Sequence, residues 1–84
     1  METVETNLYY SEYIQKHPKF TGILIDCSGN ELWLLNGKYH RTDGPAVQYI
    51  NRSKSWYLNG EYLTKEEWTY TMRVNKLEEF IGNN

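Results

Sequence analysis

His40, Arg41 and Asp43 fall within four consecutive residues, and of the polar side chains in this 84-residue chain they come closest to a chemical arrangement. A histidine with a carboxylate three residues on has the parts of a general base and its orienter. Catalysis also needs a nucleophile and a pocket, and the chain carries no G-x-S-x-G, P-loop or paired-carboxylate pattern to supply them. The cluster belongs instead to His40-Arg41-Thr42-Asp43-Gly44-Pro45, a dense turn signal: Asp caps a turn, Gly admits positive φ and Pro fixes the exit. In such a turn Arg41 and Asp43 are expected to pair with each other or to cap backbone groups. One cysteine, Cys27, and two distant histidines offer no metal-ligand spacing and no intramolecular disulfide. With no helix N-terminus or cation beside it, Cys27 is expected to be a buried or inert thiol. His17, before Pro18, reads as a helix-end histidine. No catalytic residue, cofactor or metal is expected.

The aromatic residues are the second chemical resource, with three Trp, eight Tyr and two Phe. Trp33 and Trp56 could stack on bases or a nucleotide. Each, however, stands in a W-x-L phrase that puts it on one strand face with a leucine, and that face is expected to be the core beneath the helices. Leu34 and Tyr57 then fall on the opposite face, beside Tyr39 or Tyr62 depending on register. Those tyrosines are the better candidates for exposed contacts, since Tyr gives large contact area at small entropy cost. The expected binding residues are Tyr39, His40, Arg41, Asp43, Tyr57 and Tyr62.

The elements that position these residues follow from self-similarity. Thr21 to Tyr39 and Gly44 to Tyr62 align at a constant offset of 23 residues and share W-x-L-N-G-x-Y, with five identities in seven positions. Asn-Gly supplies two residues tolerant of positive φ, as a type I′ turn requires, so each copy reads as a β-hairpin. Ile23 to Ile25 and Ala46 to Ile50 precede the Trp strands across turn signals, giving a meander of short antiparallel strands over residues 21–63. Thr64 and Glu67 then form a capping box, and Tyr70, Val74, Leu77 and Ile81 mark the apolar stripe of a helix over 64–81, ended by Gly82. At the other end Tyr10, Tyr13, Ile14 and His17 place a short helix within 7–17. The expected fold is α+β, an antiparallel β-meander of two hairpin repeats whose apolar face the two helices cover.

The phrase from Gly29 to Ala46, G-N-E-L-W-L-L-N-G-K-Y-H-R-T-D-G-P-A, resembles the W-Y-x-N-G-x-x-H-R-x-D-G-P-A hairpin repeats abundant in proteins of tailed bacteriophages and giant viruses, which look like relatives of MORN repeats. The resemblance covers Thr21 to Leu63. It implies a scaffold whose function lies in grafted surfaces rather than in the repeat itself. Leu34 stands where Tyr is usual, Leu63 replaces the second His, and the second H-R-x-D-G-P block is missing, so a long repeat array is excluded.

Composition narrows the function classes. Eighty-four residues make one domain, residues 1–84, too small for a multidomain enzyme. The net charge of −2, without a basic face, argues against double-stranded nucleic acid as the main ligand. No apolar run approaches the roughly 18 residues of a spanning helix and no signal peptide is evident, so a cytoplasmic setting without membrane contact is expected. Joined to the resemblance, these features suggest a non-enzymatic bacteriophage protein that inhibits a bacterial defence or regulatory factor by direct binding, in the cytoplasm of the host cell. The alternatives are a sponge for a nucleotide or other small phosphorylated ligand, and a self-assembling module that pairs through an open sheet edge.

Overall fold

The computed structural model describes the backbone of residues 2–82 and the side chains of residues 2–75. Its elements run β1 (Thr3–Glu5), α1 (Tyr10–Lys16), β2 (Gly22–Ile25), β3 (Glu31–Leu35), β4 (Lys38–Tyr39), β5 (Val47–Gln48), β6 (Lys54–Leu58), β7 (Glu61–Leu63) and α2 (Lys65–Gly82). The α+β class read from the sequence holds, but the sheet is mixed rather than wholly antiparallel. Its order is β1-β2-β3-β5-β6-β7, with β4 also paired to β3. β1 lies parallel to β2, with Val4 opposite Leu24, and α1 is the crossover between them. No strand was expected at β1. Gly22 makes the parallel pair possible, because at φ 149° it brings its backbone against the Glu2 carbonyl, where a Cβ would collide.

The local turn chemistry reads through directly. Asn36-Gly37 closes β3 onto β4, with Leu35 opposite Lys38. Asn59-Gly60 closes β6 onto β7, with Leu58 opposite Glu61. All four turn residues have positive φ, at 51° and 80° in the first pair and 52° and 83° in the second, as the mirror-image turn demands. At the start of α2 the capping box is complete: the Thr64 N–H donates to Glu67 Oε1 at 2.9 Å and the Glu67 N–H to Thr64 Oγ1 at 3.1 Å. α1 opens similarly, the Tyr9 N–H donating to Glu12 Oε1 at 3.1 Å.

The expected strand faces are reversed. Leu24, Leu32, Leu34 and Val47 are buried together with Tyr13 of α1, while Trp33 and Trp56 are only half-buried on the opposite face. Cross-strand register explains the choice. Leu32 faces Leu24 on one side and Val47 on the other, so one phase of the alternation presents an unbroken aliphatic surface. The Trp phase is interrupted by Glu31 and Lys54, each two residues before a Trp. Leu34, expected outside, is 3 % exposed. In α2 the anticipated apolar stripe fails at its first member, since Tyr70 is 70 % exposed. Val74 is half-buried, and the side chains of Leu77 and Ile81 lie outside those described. His17 and Cys27 are exposed, although the His17 ring stacks on Tyr13 at 4.6 Å between centroids. Among the described residues no helix is long and apolar enough to cross a membrane.

Candidate functional site

The H-R-T-D-G-P segment folds into a bracket around the Arg41 guanidinium. Its central carbon sits 3.6 Å from the centroid of the Trp33 ring, so the plane of charge rests on the π face. Gly44 also approaches so closely that a Cβ there would meet the guanidinium atoms at 2.9 to 3.2 Å. Arg41 Nε donates to Asp43 Oδ1 at 2.7 Å and Nη1 to the Pro45 carbonyl at 3.2 Å. The Arg41 side chain is 16 % exposed and that of Asp43 74 %. The hydrogen bond from Arg41 holds the Asp43 carboxyl below the ordinary carboxylate range. The Arg41 backbone is equally engaged: its N–H donates to the Tyr57 carbonyl and its carbonyl accepts the Trp68 indole N–H at 3.0 Å, which ties α2 to the linker on the Trp side. The helices therefore do not share one face as expected.

His40 also has a structural partner. Its Nδ1 accepts the Asn59 N–H at 3.0 Å, while the Gly60 N–H donates to the Tyr39 carbonyl at 2.8 Å. The first turn is received in the same way: the Asn36 N–H donates to Thr21 Oγ1 at 2.9 Å and the Gly37 N–H to the Phe20 carbonyl at 2.8 Å. Each Asn-Gly turn thus docks on a two-residue receiver, a backbone carbonyl followed by a side-chain acceptor. The receivers Phe20-Thr21 and Tyr39-His40 lie 19 residues apart rather than the 23 of the sequence offset, because the first adjoins α1 instead of a preceding hairpin. The next Tyr-x pair at the 23-residue offset is Tyr62-Leu63, and a leucine has no acceptor for a further turn.

The tyrosines occupy the other face. Tyr10, Tyr39, Tyr57 and Tyr62 form a row with ring centroids 4.7, 4.9 and 5.6 Å apart, crossing from α1 over β4 and β6 to β7. The spacing and the tilted or edge-on angles are those of favourable aromatic pairs. The Tyr10 hydroxyl donates to the Gly37 carbonyl at 2.6 Å, which fixes one end. Burial, reinforced by Tyr10, Tyr57, Tyr49 and Asp26, pushes the Tyr39 hydroxyl pKa well above the usual tyrosine range. Tyr57 is raised in the same sense, by burial and then by Tyr49 and Tyr62. Exposure grows away from α1: Tyr39 and Tyr57 are half-buried, Tyr49 is 39 % exposed and Tyr62 59 %.

The six expected binding residues therefore do not make one patch. Tyr39, Tyr57 and Tyr62 line the face that α1 partly covers, whereas His40, Arg41 and Asp43 belong to the linker, and Arg41 lies over Trp33 on the opposite face. Beside that linker is a cleft of about 250 Å³ between Trp33, Leu35, His40, Arg41 and Asp43. It is smaller than the roughly 300 to 1,000 Å³ of drug-sized ligand sites, and two of its guanidinium nitrogens are already committed. Sequence reasoning missed Tyr10 as a member of the aromatic row and Tyr49 as its neighbour. Tyr49 was legible by alternation from the apolar Val47, whereas Tyr10 reaches the row only through the crossover geometry. Among the described residues no group of three or more His, Cys, Asp or Glu lies close enough to hold a metal ion. Compared with protein-family models, curated proteins and solved structures, the chain finds no match.

Proposed function

We propose that this chain is a small non-enzymatic binding protein of the viral hairpin-repeat type, which docks through its tyrosine face onto a host protein, a bacterial defence or regulatory factor, in the host cytoplasm. The observation that carries the reading is the way the aromatic row outruns its cover. α1 packs over the β2–β4 half of the face, but the row continues to Tyr62, at 59 % exposure, and Tyr49 stands near Tyr39 and Tyr57 at 39 %. Partly exposed tyrosines held by neighbouring rings are pre-ordered, so they lose little rotamer freedom on binding and suit protein contact. The repeated docking of Asn-Gly turns on two-residue receivers supports the kinship with hairpin repeats, and Leu63 accounts for an array that stops after two. The commitment of Arg41 to Trp33, Asp43 and Pro45 favours this reading over a sponge for phosphorylated ligands.

The test is affinity capture from bacterial lysate with the parent chain and with Tyr62→Ala and Tyr49→Ala, followed by titration of the purified captured protein. One protein held by the parent and weakened about tenfold or more by each variant supports the proposal. A partner indifferent to both variants overturns it. Residues 21–63 balance acids and bases, so affinity should vary little between low and moderate salt. A steep salt dependence would identify a polyphosphate or nucleic-acid ligand instead.

A further inference from the structure

α2 packs against β6 and β7 and presents Trp68 and Met72, both half-buried, inward. Its outward side carries Glu66, Tyr70 and Arg73, one helical stripe at i, i+4 and i+7, all exposed. An exposed tyrosine alone needs no explanation, but here shallow clefts flank Tyr70 on both sides. One, of about 360 Å³, is lined by Lys65, Glu66, Thr69 and Arg73; the other, of about 430 Å³, by Leu63, Glu66, Glu67 and Thr71. A large ring thus stands between two recesses that the described side chains line but do not fill.

The charges decide what fits there. Glu66 lies three residues before Thr69, and Arg73 three residues after Tyr70, so the stripe is electrostatically antisymmetric about the Thr69–Tyr70 midpoint. Among the described residues the one ion pair is Arg41–Asp43, so neither Glu66 nor Arg73 is engaged there. A second, identical helix laid antiparallel across that midpoint brings each Glu66 against Arg73 of the other copy and each Tyr70 over the other Thr69. The same operation is its own inverse, as a twofold interface requires. A parallel arrangement would set Glu66 on Glu66 and Arg73 on Arg73, which is repulsive.

We propose that the outward stripe of α2 is an isologous docking surface for a second copy of this chain, in which Tyr70 of each protomer enters the Lys65–Glu66–Thr69–Arg73 cleft of the other, flanked by two reciprocal Glu66–Arg73 pairs. The surface lies on a different element from the tyrosine row, so dimerisation leaves that row open to a partner. Two helical turns on each side form an interface of the small, transient class, below about 1,200 Å². Association is therefore sought at high protein concentration.

The experiment is sedimentation equilibrium of the full chain from micromolar to millimolar concentration, with circular dichroism to check folding. The parent is expected to dimerise. Glu66→Arg and Arg73→Glu, both at exposed positions, should each weaken the dimer about tenfold or more by placing like charges opposite one another. The double variant, Glu66→Arg with Arg73→Glu, should recover the parent affinity to within about threefold, since it only exchanges the partners. Tyr70→Ala should weaken association without unfolding the chain. A parent that stays monomeric throughout, single charge reversals that leave the dimer unchanged, or a double variant that fails to recover would each overturn the proposal, the second result pointing to a sheet edge instead.

Discussion

Gly37 is constrained from three directions. Its φ of 80° lies in the left-handed region, its carbonyl accepts the Tyr10 hydroxyl, and a Cβ on it would collide with the Pro18 carbonyl. Gly60 shares the φ, at 83°, but the nearest atoms to its missing Cβ are those of the flexible Lys38 side chain at 3.5 Å. Two glycines that look equivalent in the sequence should therefore respond differently. Gly60→Ala should cost about 1 kcal/mol from backbone strain alone, and Gly37→Ala about 2 to 4 kcal/mol because backbone must also move. Urea midpoints at unchanged m-value measure both, and equal losses would show that the Pro18 contact yields freely. His40 offers a second test. Removing its acceptor leaves the Asn59 N–H to water, so His40→Ala should cost about 0.5 to 1 kcal/mol. His40→Asn, whose Oδ1 can take the place of Nδ1, should restore most of that stability.

At the scale of elements, what the sequence disclosed was whatever a few consecutive residues determine. Both Asn-Gly turns and the Thr64–Glu67 capping box were legible because turn and cap chemistry lie within four residues. Thr64→Ala should accordingly destabilise by about 0.5 to 2 kcal/mol, read as a lower thermal midpoint, with Thr64→Ser retaining most of the parent value. β1 was not legible, since Thr3, Val4 and Glu5 have no pattern of their own and become a strand only because Gly22 lets Glu2 approach β2. The strand faces were misread for a related reason. Within Glu31-Leu32-Trp33-Leu34-Leu35 both phases offer large apolar side chains, and the choice belongs to Leu24 and Val47, which flank it in the sheet but not in the chain. The charges of Glu31 and Lys54 two residues before each Trp carried the correct phase. They were outweighed by the size of the Trp rings, which instead meet cations, the largely enclosed Arg41 over Trp33 and the exposed Lys65 5.9 Å from Trp56.

The whole molecule is cross-braced by its tyrosines, and for the same reason the candidate site was only half legible: Tyr39, Tyr57 and Tyr62 could be named, but their assembly with Tyr10 depends on contacts spanning most of the chain. The row links α1, β4 and the β6–β7 hairpin, which lie far apart in the chain. Its weakness is alkaline pH, and the sign follows from proton counting. Tyr39, Tyr57 and Tyr10 all hold their protons more tightly in the folded chain than in the unfolded one, chiefly because burial disfavours the phenolate. Below pH about 9 both states keep these protons and stability does not vary with pH on their account. Above it the unfolded chain releases protons that the folded chain retains, the unfolded state binds fewer protons, and stability must fall as pH rises. The stabilising contribution is thus fully present below the unfolded pKa and is lost towards the raised folded values. Urea midpoints measured from pH 8 to 11 should be flat to about pH 9 and then decline. Tyr39→Phe keeps the ring contacts with Tyr10 and Tyr57 while removing the most perturbed hydroxyl, so its decline should be shallower. An identical decline in the variant would place the alkaline weakness outside the tyrosine row and show that the row is packed less tightly than its ring spacings require.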